Sequence, residues 1–383
     1  MDSTHRDDLF GRLLATLLKP PAGEADALLV GYQPPLALLE ADGAALVVLD
    51  VAGASPEEVV RRAERVVAAQ SGRLLLVVVG GGADYKAALS SVGERAQKAR
   101  LLSTYLVDGA GVVERVVGPR SSVIEKAGTR LLATAPLALG EVAAQIARGQ
   151  KEREEAVNFA AQLQGRRPWV TMVLVGACVL LHLLDATMLG TAWGSNSRQA
   201  FREGQVWRLL TAAFLHADAI HLLMNMMGLW AFGGFLEPVL GWRRYLVLYG
   251  ASALAGSLAS ALFGDPVRPS VGASGALWGL MLGGFALMRA GKTIFPARIA
   301  RQLRQRLVGI VGINVVISFV PHIDKFAHFG GGIAGFLLVW SGLLAPRSVG
   351  AVGDESFPVR LLAPLTAVLM AGSLVVALLM ART

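Results

Sequence analysis

Seven long apolar runs in the last 215 or so residues constrain the fold more than any other feature of the sequence. A helix needs about 20 predominantly apolar residues to cross the hydrocarbon core of a bilayer, and most of these runs approach that length. The predicted spans are residues 169–190, 218–240, 244–263, 273–290, 307–321, 326–345 and 360–381. The fifth run is short, so its ends are the least well defined. The sequence therefore predicts a polytopic α-helical membrane protein.

Composition supports this class. Of the 383 residues, 54% are hydrophobic and 17% are charged, which is too apolar for one soluble globule. The net charge of +8 could indicate nucleic-acid binding, but the basic residues cluster beside the apolar runs. That pattern is typical of proteins oriented in a lipid bilayer, and we expect no nucleic-acid partner. Cys178 is the single cysteine, so neither a disulfide framework nor a cysteine metal site is expected. We expect no cofactor.

The first 135 residues have a different pattern, in which strands alternate with helices. Helical periodicity occurs at Pro56–Ala69 and Tyr85–Ala99, between apolar runs rich in β-forming residues at Ala27–Tyr32, Ala45–Val51, Leu74–Val79 and Leu101–Val107. This alternation predicts a small α/β domain with a largely parallel sheet. Asp108-Gly109 favours a hairpin at the sheet edge. An amphipathic helix is expected within the first 20 residues.

Residues 80–82, three glycines between a strand and a helix, lie where a phosphate-binding loop would lie. They match neither the dinucleotide fingerprint nor the Walker pattern, so a plain turn is the preferred interpretation. Residues 136–168 read as a charged helical linker that separates the domain at 1–135 from a membrane domain at 169–383.

Basic residues in the short loops predict the orientation. Arg166 and Arg167 precede the first span, and Arg243 and Arg244 separate the second from the third. Six more lie between the fourth and fifth spans. Loops rich in Lys and Arg face the cytoplasm. The N-terminus carries no signal-peptide pattern. We therefore expect an integral protein of the cell membrane with a cytoplasmic N-terminus and an extracytoplasmic C-terminus.

Ser274 lies at the start of the fourth span, in Gly272-Ala273-Ser274-Gly275-Ala276-Leu277-Trp278-Gly279. Such a cluster of small residues is common where membrane helices pack closely. It also suits a nucleophile, because glycines leave room for a substrate and backbone N–H groups for an oxyanion. Two interpretations are therefore open on this stretch alone.

His328 favours the second interpretation. It lies about one turn into the sixth span, which enters the membrane from the same side as the fourth, so the two side chains are expected at one depth. An imidazole within hydrogen-bond reach can act as the base for a serine. Gly331 and Gly335 share a helix face with His328 and are expected to pack against Gly275 and Gly279. The alternative for His328 is a hydrogen-bonded core histidine.

The second span contributes His221 and Asn225, four residues apart on one face and at a similar depth. Either could donate to an oxyanion together with the Ser274 amide, or could simply join helices. Trp278 could stack on the His328 ring or be ordinary core. No carboxylate is placed as a third member of the site, since Asp324 lies in a loop and Glu237 near the opposite end of its helix. A Ser–His dyad is the simplest hypothesis.

The sequence lacks the motifs of other classes of membrane protease and the repeats of a transporter. A His-Glu-x-x-His zinc site and a Gly-x-Gly-Asp pair of buried aspartates are both absent, and Asp185 is the only acid well inside the first span. A transporter would be expected to show internal repeats and a polar path through the midplane. The polar residues gather near one face instead.

Four motifs in residues 169–381 resemble those of the rhomboid family of intramembrane serine proteases: Trp207-Arg208, His221-x-x-x-Asn225, Gly272-x-Ser274-Gly275 and Ala327-His328-x-x-Gly331-x-x-x-Gly335. The resemblance implies a six-helix core with a seventh helix added at the C-terminus. It implies Ser274 as nucleophile, His328 as base, and an oxyanion site of His221, Asn225 and the Ser274 amide.

The substrates implied by this resemblance are membrane-anchored proteins cut within or beside a transmembrane segment, without metal or ATP. The long loop 191–217, with Trp193 and Trp207, is expected to brace the fold at the membrane interface. The alternative is a non-catalytic membrane chaperone or binding protein with the same fold. The resemblance does not extend to residues 1–135, for which we hypothesise regulation or a cytoplasmic partner.

Overall fold

The computed structural model describes residues 3–18, 28–33, 36–41, 44–51, 54–69, 74–80, 83–97, 102–108, 110–135, 139–184, 193–290, 294–346, 349 and 356–380. Contacts between residues divide the chain into two compact units, Met1–Glu154 and Glu155–Thr383. This boundary falls inside the expected linker, 136–168. The three-part division made from the sequence stays a prediction.

The first unit is built on a six-stranded sheet whose strands are neighbours in sequence order. The strands are β1 (Leu28–Gln33), β2 (Leu36–Ala41), β3 (Ala44–Asp50), β4 (Leu74–Val79), β5 (Leu102–Val107) and β6 (Val113–Val117). Strands β3, β4 and β5 pair in parallel, whereas the other three pairings are antiparallel. The expectation of a largely parallel sheet was therefore wrong, because the described sheet is mixed. The β5–β6 hairpin is confirmed.

Helices cover both faces of this sheet. They are α1 (Ser3–Leu18), α2 (Pro56–Ala69), α3 (Ala83–Gln97), α4 (Ser122–Arg130) and the first part of α5 (Leu139–Leu163), which continues into the second unit. Successive side chains of a strand point to opposite faces. Accordingly, Leu46 and Val48 of β3 pack in the cluster with α1 and α4, whereas Val47 and Leu49 pack with α2 and α3. The predicted amphipathic helix is α1, of which Leu13, Leu14, Leu17 and Leu18 are buried in the first cluster. Of the three glycines at 80–82, only Gly80 lies among the described residues.

The second unit contains a helix at every predicted span. The long helices are α6 (Trp169–Leu184), α9 (Ala219–Leu240), α10 (Trp242–Phe263), α11 (Ser274–Ala290), α12 (Ala297–Ile317), α13 (Lys325–Trp340) and α14 (Phe357–Met380), and the short ones are α7 (Arg198–Arg202) and α8 (Arg208–Thr211). Helix α12 differs most from its predicted bounds. It begins ten residues before 307, because its basic first half continues the helix instead of forming a loop. Residues 185–190 of the first span, with Asp185, lie outside the described residues.

Three of these helices, Ala219–Leu240, Trp242–Phe263 and Phe357–Met380, are long and apolar enough to cross a membrane, and Trp169–Leu184 and Ser274–Met288 are shorter apolar helices. Large apolar side chains are exposed along them. On α9, for example, Ile220 is 74% exposed and Trp230 is 57% exposed. Such faces are too apolar for water but suit lipid. Within the described residues, the second unit is a helical bundle of membrane-protein type.

A buried carboxyl group joins two of these helices. Glu237, near the end of α9, is 3% exposed. Its oxygens accept hydrogen bonds from the backbone N–H of Val170 (2.9 Å), the backbone N–H of Thr171 (2.8 Å) and the Thr171 hydroxyl (2.8 Å). The first N–H groups of a helix have no partner within the helix. Glu237 therefore caps the start of α6 from a different helix, which explains how this acid is accommodated among apolar helices.

Glycines set the spacing among α10, α11 and α13, which pack extensively on one another. A methyl group at Gly335 would overlap the carbonyl oxygen of Gly279, and one at Gly331 would overlap that of Gly275. A methyl group at Gly256 would lie 2.6 Å from the Ala327 carbonyl oxygen. These backbones thus approach more closely than any side chain would allow, as small residues permit in membrane helices.

The long loop before α9 fastens the backbone next to Ser274. Asn196 and Ser270 exchange backbone hydrogen bonds of 3.0 and 2.7 Å, and the Gly272 N–H donates to the Ala212 carbonyl at 2.9 Å. The Arg198 guanidinium donates to the Gly264 carbonyl at 2.7 Å, at the end of α10. Trp193 is only 6% exposed and belongs to the core of the bundle. The expectation that the loop 191–217 braces the fold at the membrane interface stays a prediction.

Candidate active site

Ser274 is the first residue of α11. Gly272, two residues earlier, has a φ of 121°, a backbone conformation that residues with a side chain rarely adopt. The turn at Gly272 brings the chain into the helix so that Ser274 occupies its first turn. Because the N–H groups of a first turn lack helical partners, the Ser274 backbone is a suitable donor for a developing negative charge.

His328 is the fourth residue of α13. The carboxyl group of Asp324 caps this helix, accepting from the N–H groups of Phe326 (3.1 Å) and Ala327 (3.0 Å). The imidazole is buried, and its Nε2 lies 2.9 Å from the Ser274 hydroxyl oxygen. That distance is within the range of a nucleophile and its general base. The structure thus brings together the two side chains that are 54 residues apart in sequence.

The ring of His328 is held from two further sides. The Trp278 ring stacks on it, with centroids 5.8 Å apart and an interplanar angle of 30°. The Ser318 hydroxyl lies 2.6 Å from its Nδ1 and donates to the Asn314 carbonyl at 2.8 Å. Sequence reasoning did not identify Ser318. It considered only carboxylates as a third group, and both Asp324 and Glu237 are engaged in helix capping instead.

His221 lies across the turn from Ser274. A Cβ at Gly272 would lie 2.8 Å from the His221 Cε1 and Nε2 atoms and 3.8 Å from the Ser274 hydroxyl. Gly272 is therefore required in this position for two reasons, its φ and the His221 ring. Asp218 caps α9 by accepting from the His221 N–H at 2.8 Å, which fixes the start of that helix. The His216 ring packs edge-on against His221, with centroids 5.2 Å apart.

Asn225 lies one turn further along α9 and is 4% exposed. Its Nδ2 donates to the His221 carbonyl at 2.9 Å, which uses one of the two amide N–H groups. Its Oδ1 is buried and has no hydrogen-bond partner. That oxygen can only accept, whereas the second N–H on Nδ2 is not used by the bond to His221, so Asn225 retains a donor for a bound group.

No group of three or more His, Cys, Asp or Glu side chains that could hold a metal ion occurs among the described residues. The site holds a hydroxyl paired with an imidazole, next to helix N–H groups, an amide and a second imidazole. This set suits acyl transfer at a carbonyl.

Fold and site together define a helical membrane protein with a paired serine and histidine where two closely packed helices begin. A family model described as a rhomboid domain matches residues 203–345, a range that includes both side chains. This part of the chain is a rhomboid domain.

Named relatives agree with this assignment. RHOMBOID-like protein 1 of Arabidopsis thaliana is 41% identical over 143 residues, which is 37% of this chain and 36% of the relative. Rhomboid protease GluP of Bacillus subtilis (strain 168) is 32% identical over 199 residues, 49% of this chain and 37% of the relative. Rhomboid-like protease 3 of Toxoplasma gondii is 32% identical over 184 residues, 45% of this chain and 66% of the relative. The chain thus spans about a third to two thirds of the length of these relatives.

Proposed function

We propose that this chain is an intramembrane serine endopeptidase that cleaves membrane-anchored proteins within or next to a transmembrane segment. The observation that carries the proposal is the 2.9 Å contact between the Ser274 hydroxyl oxygen and His328 Nε2. Membership of a family in which relatives are named as proteases supports it. The residue roles and the substrate class are parts of this proposal.

In the first step, the Ser274 oxygen attacks the carbonyl carbon of the substrate while its proton passes to His328 Nε2. The tetrahedral intermediate then collapses, the C–N bond breaks and His328 returns the proton to the leaving amine. Water, deprotonated by the same imidazole, hydrolyses the resulting ester and regenerates the Ser274 hydroxyl. A dyad is sufficient for this sequence because one base serves both half-reactions.

The oxyanion of the intermediate needs donors aimed at it. We assign the Ser274 backbone N–H, the remaining N–H of Asn225 and the His221 ring to this role. Gly272 supports the assignment, because a Cβ there would touch the imidazole and approach the nucleophile. Removing one such donor typically reduces kcat by about 10²- to 10³-fold in soluble serine proteases.

The membrane explains why these polar groups gather at one end of the bundle. Lipid excludes the water that hydrolysis consumes and leaves buried polar groups unsatisfied. A site in the first turns of α11 and α13 would lie close to one membrane surface, from which water could reach it. We infer that all seven long helices cross the bilayer, with the N-terminus cytoplasmic and the site near the outer surface. We assign the first unit to the cytoplasm as an α/β domain that regulates the protease or binds a partner.

Labelling with a fluorophosphonate probe tests the proposal directly. In membranes, the wild type should be labelled and should cleave a single-span reporter protein. Ser274→Ala and His328→Ala should abolish both while the protein still inserts. Ser270→Ala and His322→Ala are matched controls, since these residues lie outside the contacts of the dyad, and they should retain activity.

Two results would overturn the proposal. One is labelling of a residue other than Ser274. The other is reporter cleavage that survives Ser274→Ala. If the wild type binds the reporter without cleaving it, and binding persists in Ser274→Ala, the alternative of a non-catalytic chaperone or binding protein is supported instead.

A further inference from the structure

Ser318 is the cap residue that follows the last turn of α12, and it touches the side of the His328 ring that faces away from Ser274. Its side chain is 1% exposed, and it belongs to neither the oxyanion site nor the substrate side of the dyad. Ser318 thus links a third helix to the proposed base.

The number of hydrogens on the two groups limits which of them donates in this contact. The Ser318 hydroxyl has one hydrogen and lies close to two groups, the Asn314 carbonyl at 2.8 Å and His328 Nδ1 at 2.6 Å. A carbonyl can only accept. If the hydroxyl donates to the carbonyl, its oxygen must accept from an N–H at Nδ1. A neutral imidazole protonated at Nδ1 has its lone pair at Nε2, next to the Ser274 hydroxyl.

Helix α12 favours this direction. The Asn314 carbonyl lies in the last turn of the helix, near the negative end of the helix dipole. It accepts the Ser318 backbone N–H at 2.9 Å, and its second lone pair can still accept from the hydroxyl. A hydroxyl hydrogen is therefore attracted to it. The arrangement also suits the imidazolium formed during the reaction, because both ring nitrogens are then donors and the Ser318 oxygen is already turned to accept.

We propose that Ser318 is a positioning residue that holds His328 protonated at Nδ1, so that Nε2 is free to accept the proton of Ser274. The role resembles the one that the aspartate performs in a Ser-His-Asp triad, where it fixes the tautomer of the histidine. Here a hydroxyl and a helix carbonyl replace the carboxylate. This inference rests on the proposed function, since it assigns a partner to the proposed base.

Ser318→Ala tests the assignment by kinetics on the full-length chain. Loss of the acceptor should lower kcat for reporter cleavage by about 10- to 100-fold, since general-base catalysis as a whole contributes about 10²- to 10⁴-fold. KM should stay within about two-fold, because Ser318 is buried away from the substrate side. Ser318→Thr keeps the hydroxyl and should recover most of kcat. Ser373→Ala is the matched control: this serine is also buried, donates to the Met370 carbonyl at 2.8 Å, and lies in α14.

Nitrogen-15 NMR of the imidazole rings supplies a readout that a structural role would not change. The His328 signals, assigned by their loss in His328→Ala, should show a proton on Nδ1 in the wild type and in Ser373→Ala. In Ser318→Ala the population should move toward protonation at Nε2. A wild-type ring protonated at Nε2 would overturn the inference.

The two readouts separate this inference from the proposed function. If wild type labels at Ser274 and cleaves, but Ser318→Ala has wild-type kcat or an unchanged tautomer, the inference alone is wrong. If wild type neither labels nor cleaves, the proposed function is wrong, and with it the catalytic meaning of Ser318.

Discussion

The three hydrogen bonds accepted by Glu237 predict a large loss of stability when this side chain is truncated. Glu237→Ala removes every one of them and leaves two backbone N–H groups and a hydroxyl at the start of α6. A hydrogen bond typically contributes about 1 kcal/mol net, and an unsatisfied buried donor costs about 1–3 kcal/mol. We therefore expect a loss of about 3–5 kcal/mol in the free energy of unfolding. At about 2–4 °C per kcal/mol for a unit of this size, the melting temperature should fall by about 10 °C.

Partial variants should give intermediate losses. Thr171→Val removes one of the three donors and should cost about a third as much as Glu237→Ala. Glu237→Gln keeps one acceptor oxygen but turns an amide N–H₂ toward other donors. Its loss of stability should therefore lie between those of Thr171→Val and Glu237→Ala. Glu203→Ala is the matched control, because this acid is exposed and the hydrogen-bond partners of its carboxyl group among the described residues are the side chains of Gln199 and Gln205. It should change stability by less than about 0.5 kcal/mol.

Thermal unfolding in detergent, followed by intrinsic fluorescence, is the appropriate assay. The ranking matters more than the absolute values, since micelles change the reference state for all variants equally. A melting temperature for Glu237→Ala within 2 °C of the Glu203→Ala control would refute the reasoning. It would mean that water or lipid headgroups satisfy the start of α6 once the carboxyl group is gone.

Two further predictions concern packing and orientation. Gly335→Ala should abolish reporter cleavage and destabilise the bundle, because its methyl group would overlap the Gly279 carbonyl. Gly309→Ala, with open space around it, should remain active. Wild-type activity in Gly335→Ala would contradict this account. In a Cys178→Ala background, an impermeant maleimide applied to intact cells should label Val267→Cys but label Arg120→Cys only after permeabilisation. The reverse pattern would show that the chain is inserted the other way.

The helices of the second unit were predictable because long apolar runs, near the length that a bilayer requires, favour helix. A helix occurs at all seven predicted positions. The basic first half of α12 was not predicted, because the prediction relied on apolar runs. Its arginines end the hydrophobic pattern, whereas backbone hydrogen bonding continues through them from Ala297.

The sheet was less predictable. Strand β2 reads Leu-Ala-Leu-Leu-Glu-Ala, which has neither the alternation nor the β-branched residues typical of a strand. Pairing with β1 and β3 decides its conformation, and those contacts are not visible in local sequence. Missing β2 made the sheet look largely parallel, because the remaining runs alternate with α2 and α3.

The proposed dyad could be inferred because Ser274 and His328 are unusual in their surroundings, whereas Ser318 is not. A polar residue in an apolar helix needs an explanation, and two polar residues at one expected depth suggest a shared function. A serine at the end of a helix needs no functional explanation, since its hydroxyl can bond to the preceding turn. Only the 2.6 Å contact with Nδ1, made between helices, distinguishes Ser318 from other capping serines.

The distance between Ser274 and His328 depends on packing along the helices that carry them. Gly275 and Gly279 follow the serine on α11, Gly331 and Gly335 follow the histidine on α13, and each contact between the two sets is backbone against backbone. A methyl group at Gly331 or Gly335 would overlap the backbone of α11 and would have to move one helix outward by about an ångström. The 2.9 Å hydrogen bond does not survive such a shift. Closely packed interiors transmit strain because they cannot absorb it locally. The glycines therefore act on the proposed chemistry as well as on the fold, since the approach they permit is what allows an imidazole on one helix to reach a hydroxyl on another.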